Sequence, residues 1–245
     1  LKIEDYPRNL QMLVNQHIWI YMEASSKPFL IYRAKQLQES IKRGRKKHGK
    51  WAFSIPPDKP LAFRRDDINL QVDIYGKMEG VKENITKQCF NLRIWSFDKK
   101  VCYREKIDAP EVKEKIEPLG WKRVILRFHF DLKNLEEENL EPLFHLHVGG
   151  HQKDEENCWL NEKISVPRFA HPPMDLILLC EFVLMNFFPE KYRNLKDDPE
   201  WISLIRKSQE LFQAPYFKDS MRYINDESNT LLGNLVSSRG VTRDE

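Results

Sequence analysis

After Asp66-Asp67 the spacing of apolar residues changes from three-and-four to two, and nothing else in this chain constrains its fold as strongly. Leu70, Val72 and Ile74 alternate with Gln71 and Asp73, and Phe90, Leu92 and Ile94 with Asn91, Arg93 and Trp95. Val124, Leu126, Phe128 and Phe130 alternate with Arg123, Ile125, Arg127, His129 and Asp131, and Phe144, Leu146 and Val148 with His145 and His147. Successive strand side chains point to opposite faces, so each run has one apolar and one polar side. Asp98-Lys99-Lys100 has the chemistry of a hairpin turn into a further run, Val101 to Arg104. These runs predict an α+β fold built on an antiparallel meander of about five strands, with N-terminal and C-terminal helices packed on its apolar face.

Helical spacing brackets the strands. Leu10, Leu13, Val14, His17, Ile18, Tyr21 and Met22 predict a helix from about Asp5 to Glu23. Ser25 and Ser26 ahead of Lys27-Pro28 offer cap chemistry for a second, striped by Phe29, Tyr32, Arg33, Leu37 and Ile41 and ending near Gly44. Pro56, Pro57 and Pro60 mark an ordered connection, and Val112, Ile116 and Leu119 are spaced as a short helix. The proline-rich strap from Val166 to Pro173 is expected to run extended; an apolar helix follows from Asp175 to Pro189. Asp198-Pro199 caps a further helix with Trp201, Leu204, Ile205, Ser208, Leu211 and Phe212 on its stripe. The expected organisation is a helical segment at 1–50, a sheet core at 51–166, C-terminal helices of the same domain at 167–224, and a polar tail at 225–245.

Composition narrows the class. A chain of 245 residues with 41% hydrophobic content buries a substantial core, which excludes disorder as the main state. A formal charge of +3 implies no polyanionic partner unless the cations cluster. Four cysteines without CxxC spacing fit a reducing cytosol and exclude a zinc ribbon. The most apolar run, Met174 to Phe188, is short and carries Asp175 and Glu181, so no membrane association is expected. The chain opens on Leu rather than Met, and the expectation is that its true N-terminus is missing.

Two clusters carry candidate chemistry. Lys42, Arg43, Arg45, Lys46, Lys47 and Lys50, with His48 among them, form a basic stretch that reads either as a phosphate-contacting loop or as a solvated helix end where cations oppose the dipole. The polar face of the sheet would gather Asp73, Asn91, Arg93, Trp95, Arg104, Arg127, His129, His145 and His147. Imidazoles carry protons near neutral pH and guanidinium groups oppose charge on a phosphorane, so RNA cleavage by 2′-hydroxyl attack needs no metal on such a face. Zinc is the other chemical reading, with His145 and His147 as ligands, His129 or His151 completing a set, and Asp131 as the one well-placed carboxylate. The plain structural alternative is that these histidines line a packed polar interface. His17 and Cys180 read as core residues, and Arg168 and His171 as parts of a strap that positions the following helix.

His145-Leu-His-Val-Gly-Gly-His-Gln152 resembles the histidine-triad nucleotide hydrolases, in which alternating strand histidines attack and protonate a phosphate ester. Leu143 and Gly149 stand where that family's third alternate histidine would fall, and the long apolar helix is foreign to it. Over about residues 120–188, a strand ending His-Phe-Asp, the His-Leu-His-Val-Gly-Gly strand, an Arg-containing proline strap and an apolar helix ending Phe-Phe resemble small bacterial toxin–antitoxin and defence proteins, TumE-type toxins among them. That resemblance implies a prokaryotic conflict setting and ribonuclease action.

The sharpest functional expectation is therefore a metal-independent RNA- or nucleotide-directed phosphodiesterase, with His129, His145 and His147 transferring protons, Arg93 and Arg127 holding phosphate, and the basic stretch gathering the strand. The competing expectation is a non-catalytic subunit that binds nucleic acid or a partner protein through the same face.

Overall fold

A computed structural model describes residues 2–45, 48–97, 123–133, 142–149, 168–224 and 230. The fold is α+β, with a seven-stranded antiparallel sheet flanked by helices from both ends of the chain. The strands are β1 (Lys50–Ile55), β2 (Leu61–Arg65), β3 (Leu70–Val81), β4 (Asn84–Ser96), β5 (Arg123–Leu132), β6 (Phe144–Val148) and β7 (Phe169–Ala170). They lie in the order β1-β3-β4-β5-β6-β7. β2 shares an edge of β3 with β1: β1 pairs with Gly76 to Val81 and β2 with Leu70 to Ile74. The two run in line, interrupted by the connection that holds Pro56, Pro57 and Pro60.

Two of the alternating runs are longer than the sequence expectation, and two strands join them. β3 continues to Val81 and β4 begins at Asn84, because Gly76 and Gly80 admit close approach of neighbouring groups where the apolar alternation fades. β1 and β2, unanticipated, bring the sheet to seven strands rather than about five. A bulge opposite Ile94-Trp95 pairs Trp95 with Val124, so Ile125, not Val124, packs on the apolar core. The expected strand at Val101 to Arg104, the helix near Val112 and the tail from Asn225 lie outside the described residues.

Gly76 holds φ +144°, and a β-carbon there would stand 2.1 Å from the Cys89 carbonyl oxygen and 2.7 Å from Cα of Phe90. Gly76→Ala is expected to destabilise the protein by about 2–3 kcal/mol, since both backbone strain and overpacking oppose it. A shift of the urea midpoint corresponding to less than about 0.5 kcal/mol would contradict this packing.

The N-terminal helix is α1 (Tyr6–Met12), entered by a 3₁₀ turn (Ile3–Asp5) and continued by a π-helical turn (Leu13–Ile18). It ends before Tyr21 and Met22, contrary to the expected span, because the chain there extends to pair with β2: Glu23 N donates to Ala62 O, Arg64 N to Tyr21 O, and Met22 bridges Phe63. Helix α2 (Ser26–Gly44) ends where expected and buries Leu37 and Ile41 of the expected stripe, but it completes that stripe with Leu30 and Ala34 and leaves Tyr32 56% exposed. Gly44 admits the Lys50 carbonyl into the space a β-carbon would take, and Ser40 Oγ accepts from Ala52 N at 3.1 Å. The Ser25 side chain does not cap it; Ser26 Oγ instead accepts from Ala62 N at 3.2 Å.

The C-terminal helices are α3 (Leu176–Phe187), α4 (Pro189–Leu195), α5 (Pro199–Ser208) and α6 (Ala214–Ile224), with a π-helical turn (Gln209–Gln213) between the last two. Helix α3 covers the apolar sheet face, with the Phe182 ring edge-on at 5.6 Å to both Phe128 and Phe130. Asp198 caps α5 by accepting from Glu200 N and Trp201 N, and the buried stripe of that helix and the turn after it is the expected one. One apolar cluster runs from Ile3 to Phe212, so both helical ends and the sheet share a core. No helix among the described residues is long and apolar enough to cross a membrane.

His17 is buried in that core, its ring edge-on to Trp201 at 5.5 Å and its Nδ1 4.0 Å from Asp198 Oδ2. Burial lowers its pKa from 6.5 despite the pull of Asp198 and Glu200. The unfolded chain therefore takes up this proton first, and the stabilisation present above pH 6.5 is lost as pH falls through the folded value. Urea midpoints followed from pH 7.5 down to pH 5 are expected to fall, and His17→Gln to lose that part of the slope; an unchanged slope in the variant would exclude His17 as its source.

Candidate functional site

Strand pairing, not proximity in sequence, assembles the polar face. The registers align Tyr75, Asn91, His129 and His147 in one cross-strand row, and Lys77, Cys89, Asp131, His145 and Ala170 in the next. Asp73, Arg93 and Arg127 form the row on the other side. These rows share the face away from Phe90, Phe128 and Phe130 because side chains alternate along every strand. No bulge intervenes at β6, so both of its histidines face the polar side.

The rows meet at β5 and β6. The His129 and His147 rings lie 5.0 Å apart between centroids, tilted by 30°, and His145 and His147 lie 5.4 Å apart. His147 Nε2 is 2.7 Å from Asp131 Oδ2, a diagonal contact between strands. Asp131 Oδ1 is buried and has no hydrogen-bond partner among the described residues. His145 Nδ1 lies 2.9 Å from the Pro142 carbonyl oxygen. A carbonyl only accepts, so Nδ1 carries the hydrogen, and in the neutral ring Nε2 is the atom with the lone pair.

The electrostatics follow from burial. Burial, then the charges of His147 and Arg127, bring His129 down to about 4 against the opposing pull of Asp131. Burial pushes Asp131 up, but the hydrogen bond with His147 and the neighbouring Cys89 and His129 outweigh it, leaving the carboxyl below its ordinary value. Burial, with Asp131 adding to it, pushes the Cys89 thiol up to about 12, which leaves it an inert wall of the site.

The sequence candidates divide. His129, His145, His147 and Arg127 converge as expected; Arg127 and His145 are each 4% exposed, whereas the His147 and Asp131 side chains are 19% and 21% exposed. Arg93 shares the face but is held by local partners. Its guanidinium stands 4.5 Å from the Tyr75 ring centroid and 5.3 Å from that of Trp95, donates to Pro57 O at 3.2 Å, and faces Asp73 Oδ2 at 3.8 Å. Asp73 in turn accepts from Gln71 Nε2 and Trp95 Nε1, both at 2.6 Å. Arg104 and His151 lie outside the described residues. His171 sits on the opposite face, edge-on to Phe130 at 5.2 Å, in keeping with a strap that positions α3.

The basic stretch is a separate feature. Lys42 and Arg43 occupy the last turn of α2, where Lys42 pairs with Glu39 at 3.5 Å; Arg45 pairs with Glu4 at 3.4 Å. Ile55 shares a row with Phe130 through Gly76 and Phe90, and Lys50 stands at the far end of β1. Strand spacing and rise put it roughly 25 Å from the histidines. Lys46 and Lys47 lie outside the described residues.

Asp131 is the participant that sequence reasoning undervalued. Its position on the polar side of β5 was visible, but its diagonal contact with His147 depends on the β5–β6 register. Tyr75 was missed because the visible alternation stopped at Ile74. Against family models, curated proteins and solved structures, this chain returns no match.

Proposed function

We propose that the β5–β6 polar face cleaves phosphodiester bonds in RNA or nucleotides, in the setting of a prokaryotic toxin–antitoxin or defence system. The observation that carries this reading is the packing of three imidazoles, a carboxylate and a buried guanidinium on two paired strands, with ring spacings of 5.0 and 5.4 Å. In 2′-hydroxyl attack the O2′–P bond forms as that hydroxyl loses its proton, and the P–O5′ bond breaks as the leaving oxygen gains one. The phosphorane between these events gathers negative charge. A phosphate approaching the partly exposed edge of His147 and Asp131 has His129 beside it as proton carrier. Arg127 stands in the neighbouring row of the same face, buried, so it opposes the charge through its field rather than by contact.

Burial supports this reading over that of a binding surface. A face that docks a long strand or a partner protein exposes its cations, whereas Arg127 is enclosed. The conflict-system setting is carried by the sequence resemblance over about residues 120–188. The full chain, incubated at pH 7 with single-stranded RNA and with the activated diester uridine 3′-(p-nitrophenyl) phosphate, which carries a 2′-hydroxyl, is expected to cleave at least one of them at least about a hundredfold above the protein-free rate. Folded protein that leaves both substrates at the background rate overturns the proposal.

A further inference from the structure

We propose that Asp131, His145 and His147 bind a divalent transition-metal ion, with zinc the best match to the donor set. The inference deepens the reading of the site as a phosphodiesterase and rests on it only for the use of the ion in cleavage; binding itself is argued from geometry.

Each of the three residues offers one ligand atom, and these atoms lie within 4.8 Å of one another. Around a tetrahedral zinc ion with bonds of about 2.0–2.1 Å, ligand atoms stand about 3.3 Å apart. The 2.7 Å separation of His147 Nε2 and Asp131 Oδ2 has to open by about half an ångström and the widest pair to close, changes within reach of side-chain rotation on fixed strands.

Two independent features orient the set toward an ion. The Pro142 carbonyl fixes the hydrogen of His145 on Nδ1, which presents Nε2 as the donor atom; a histidine held by a backbone carbonyl in this way is the usual arrangement around a bound metal. Asp131 contributes the second. Its Oδ1 is buried and makes no hydrogen bond of normal geometry among the described residues, while Oδ2 contacts His147 and the Cys89 thiol lies alongside, so the buried carboxylate keeps unmet acceptor capacity. A cation supplies what the His147 and Cys89 contacts leave unmet.

The donor set decides the class of ion. Two imidazole nitrogens and one carboxylate oxygen suit zinc, and also manganese or iron(II), better than magnesium or calcium, which prefer oxygen alone. Three protein ligands leave a coordination position open for water or a phosphate oxygen, as in catalytic rather than structural sites. In this arrangement His145 and His147 act through the ion instead of carrying protons themselves, which separates their roles from that of His129.

The test uses the full chain, stripped with chelator and titrated with Zn²⁺ by calorimetry, then with Mn²⁺ and Mg²⁺. One equivalent of zinc is expected to bind, to raise the melting temperature, and to bind at least about a hundredfold more weakly to Asp131→Asn and to His147→Gln, variants close in size to the originals. Co²⁺ substitution is expected to give visible d–d absorption bands that the same variants lose. Failure of folded wild-type protein to bind zinc, or unchanged zinc affinity in both variants, overturns the inference. Chelator-insensitive RNA cleavage by metal-free protein overturns the use of the ion while sparing the proposed function. Zinc bound at these residues without cleavage does the reverse.

Discussion

Asp175→Ala is expected to lower the unfolding free energy by about 3–5 kcal/mol, the largest stability loss of any single polar substitution argued from this structure. The Asp175 carboxylate is fully buried where three helical segments meet. It caps α3 by accepting from Leu178 N at 3.0 Å, and it accepts from Ser208 Oγ at the end of α5. Tyr6 of α1 contacts it while also accepting from Leu176 N at 3.2 Å. Alanine leaves the Leu178 N–H and the Ser208 and Tyr6 hydroxyls without their acceptor inside an apolar cluster, so lost capping adds to the desolvation of each orphaned group. Asp175→Asn keeps an acceptor oxygen and is expected to cost about half as much.

Protonation separates these variants further. Burial raises the Asp175 pKa from 3.8 against the hydrogen bonds that favour the charge. A group with a raised folded-state value stabilises most below its unfolded value, and that contribution is lost as pH rises through the folded value. The cost of the asparagine substitution should therefore shrink between pH 3.5 and pH 7. Urea unfolding of both variants across that range checks it, and an alanine cost below about 1 kcal/mol would contradict the network.

Much of this architecture can be read from residue spacing, and the failures have physical causes. The period-two runs at Leu70, Phe90, Val124 and Phe144 locate four strands correctly because each buries one face and solvates or polarises the other. The cap at Asp198 is legible because side-chain chemistry and position coincide there, whereas Asp175 marks the start of its helix in the sequence without declaring its capping role. β1 and β2 escape notice because the basic stretch and the prolines on either side dominate the local composition, and their pairing with β3 is set by tertiary contacts. The stripe of α2 is half legible: Leu37 and Ile41 are buried as expected, but Ala34 and Gly44, residues without hydrophobic weight, complete it with Leu30 in place of the bulkier Tyr32. At the site, alternation alone put His129, His145, His147 and Arg127 on one face. It could not fix the diagonal that joins Asp131 to His147, nor show that Tyr75, Trp95 and Asp73 occupy Arg93. Both depend on how strands pair, which spacing within a strand does not encode.

Substitution of His145 and His147 together is expected to have the largest effect on function. Either histidine alone leaves one imidazole beside Asp131 and His129, and groups that act as a unit give non-additive losses, so the double variant reports the site as a whole. Loss of proton transfer or of an ion's ligands removes about 10³-fold or more of the rate. The fold should survive, since His147 is partly exposed and both histidines lie on the polar face, outside the apolar cluster. Glutamine at both positions limits cavity formation, and a cooperative urea transition confirms that the variant is folded. The decisive measurement is thus the rate of RNA cleavage by folded His145→Gln/His147→Gln protein against the wild type: a fall of at least about a thousandfold is predicted, and a rate within about threefold of the wild type would contradict the placement of the reaction on this face.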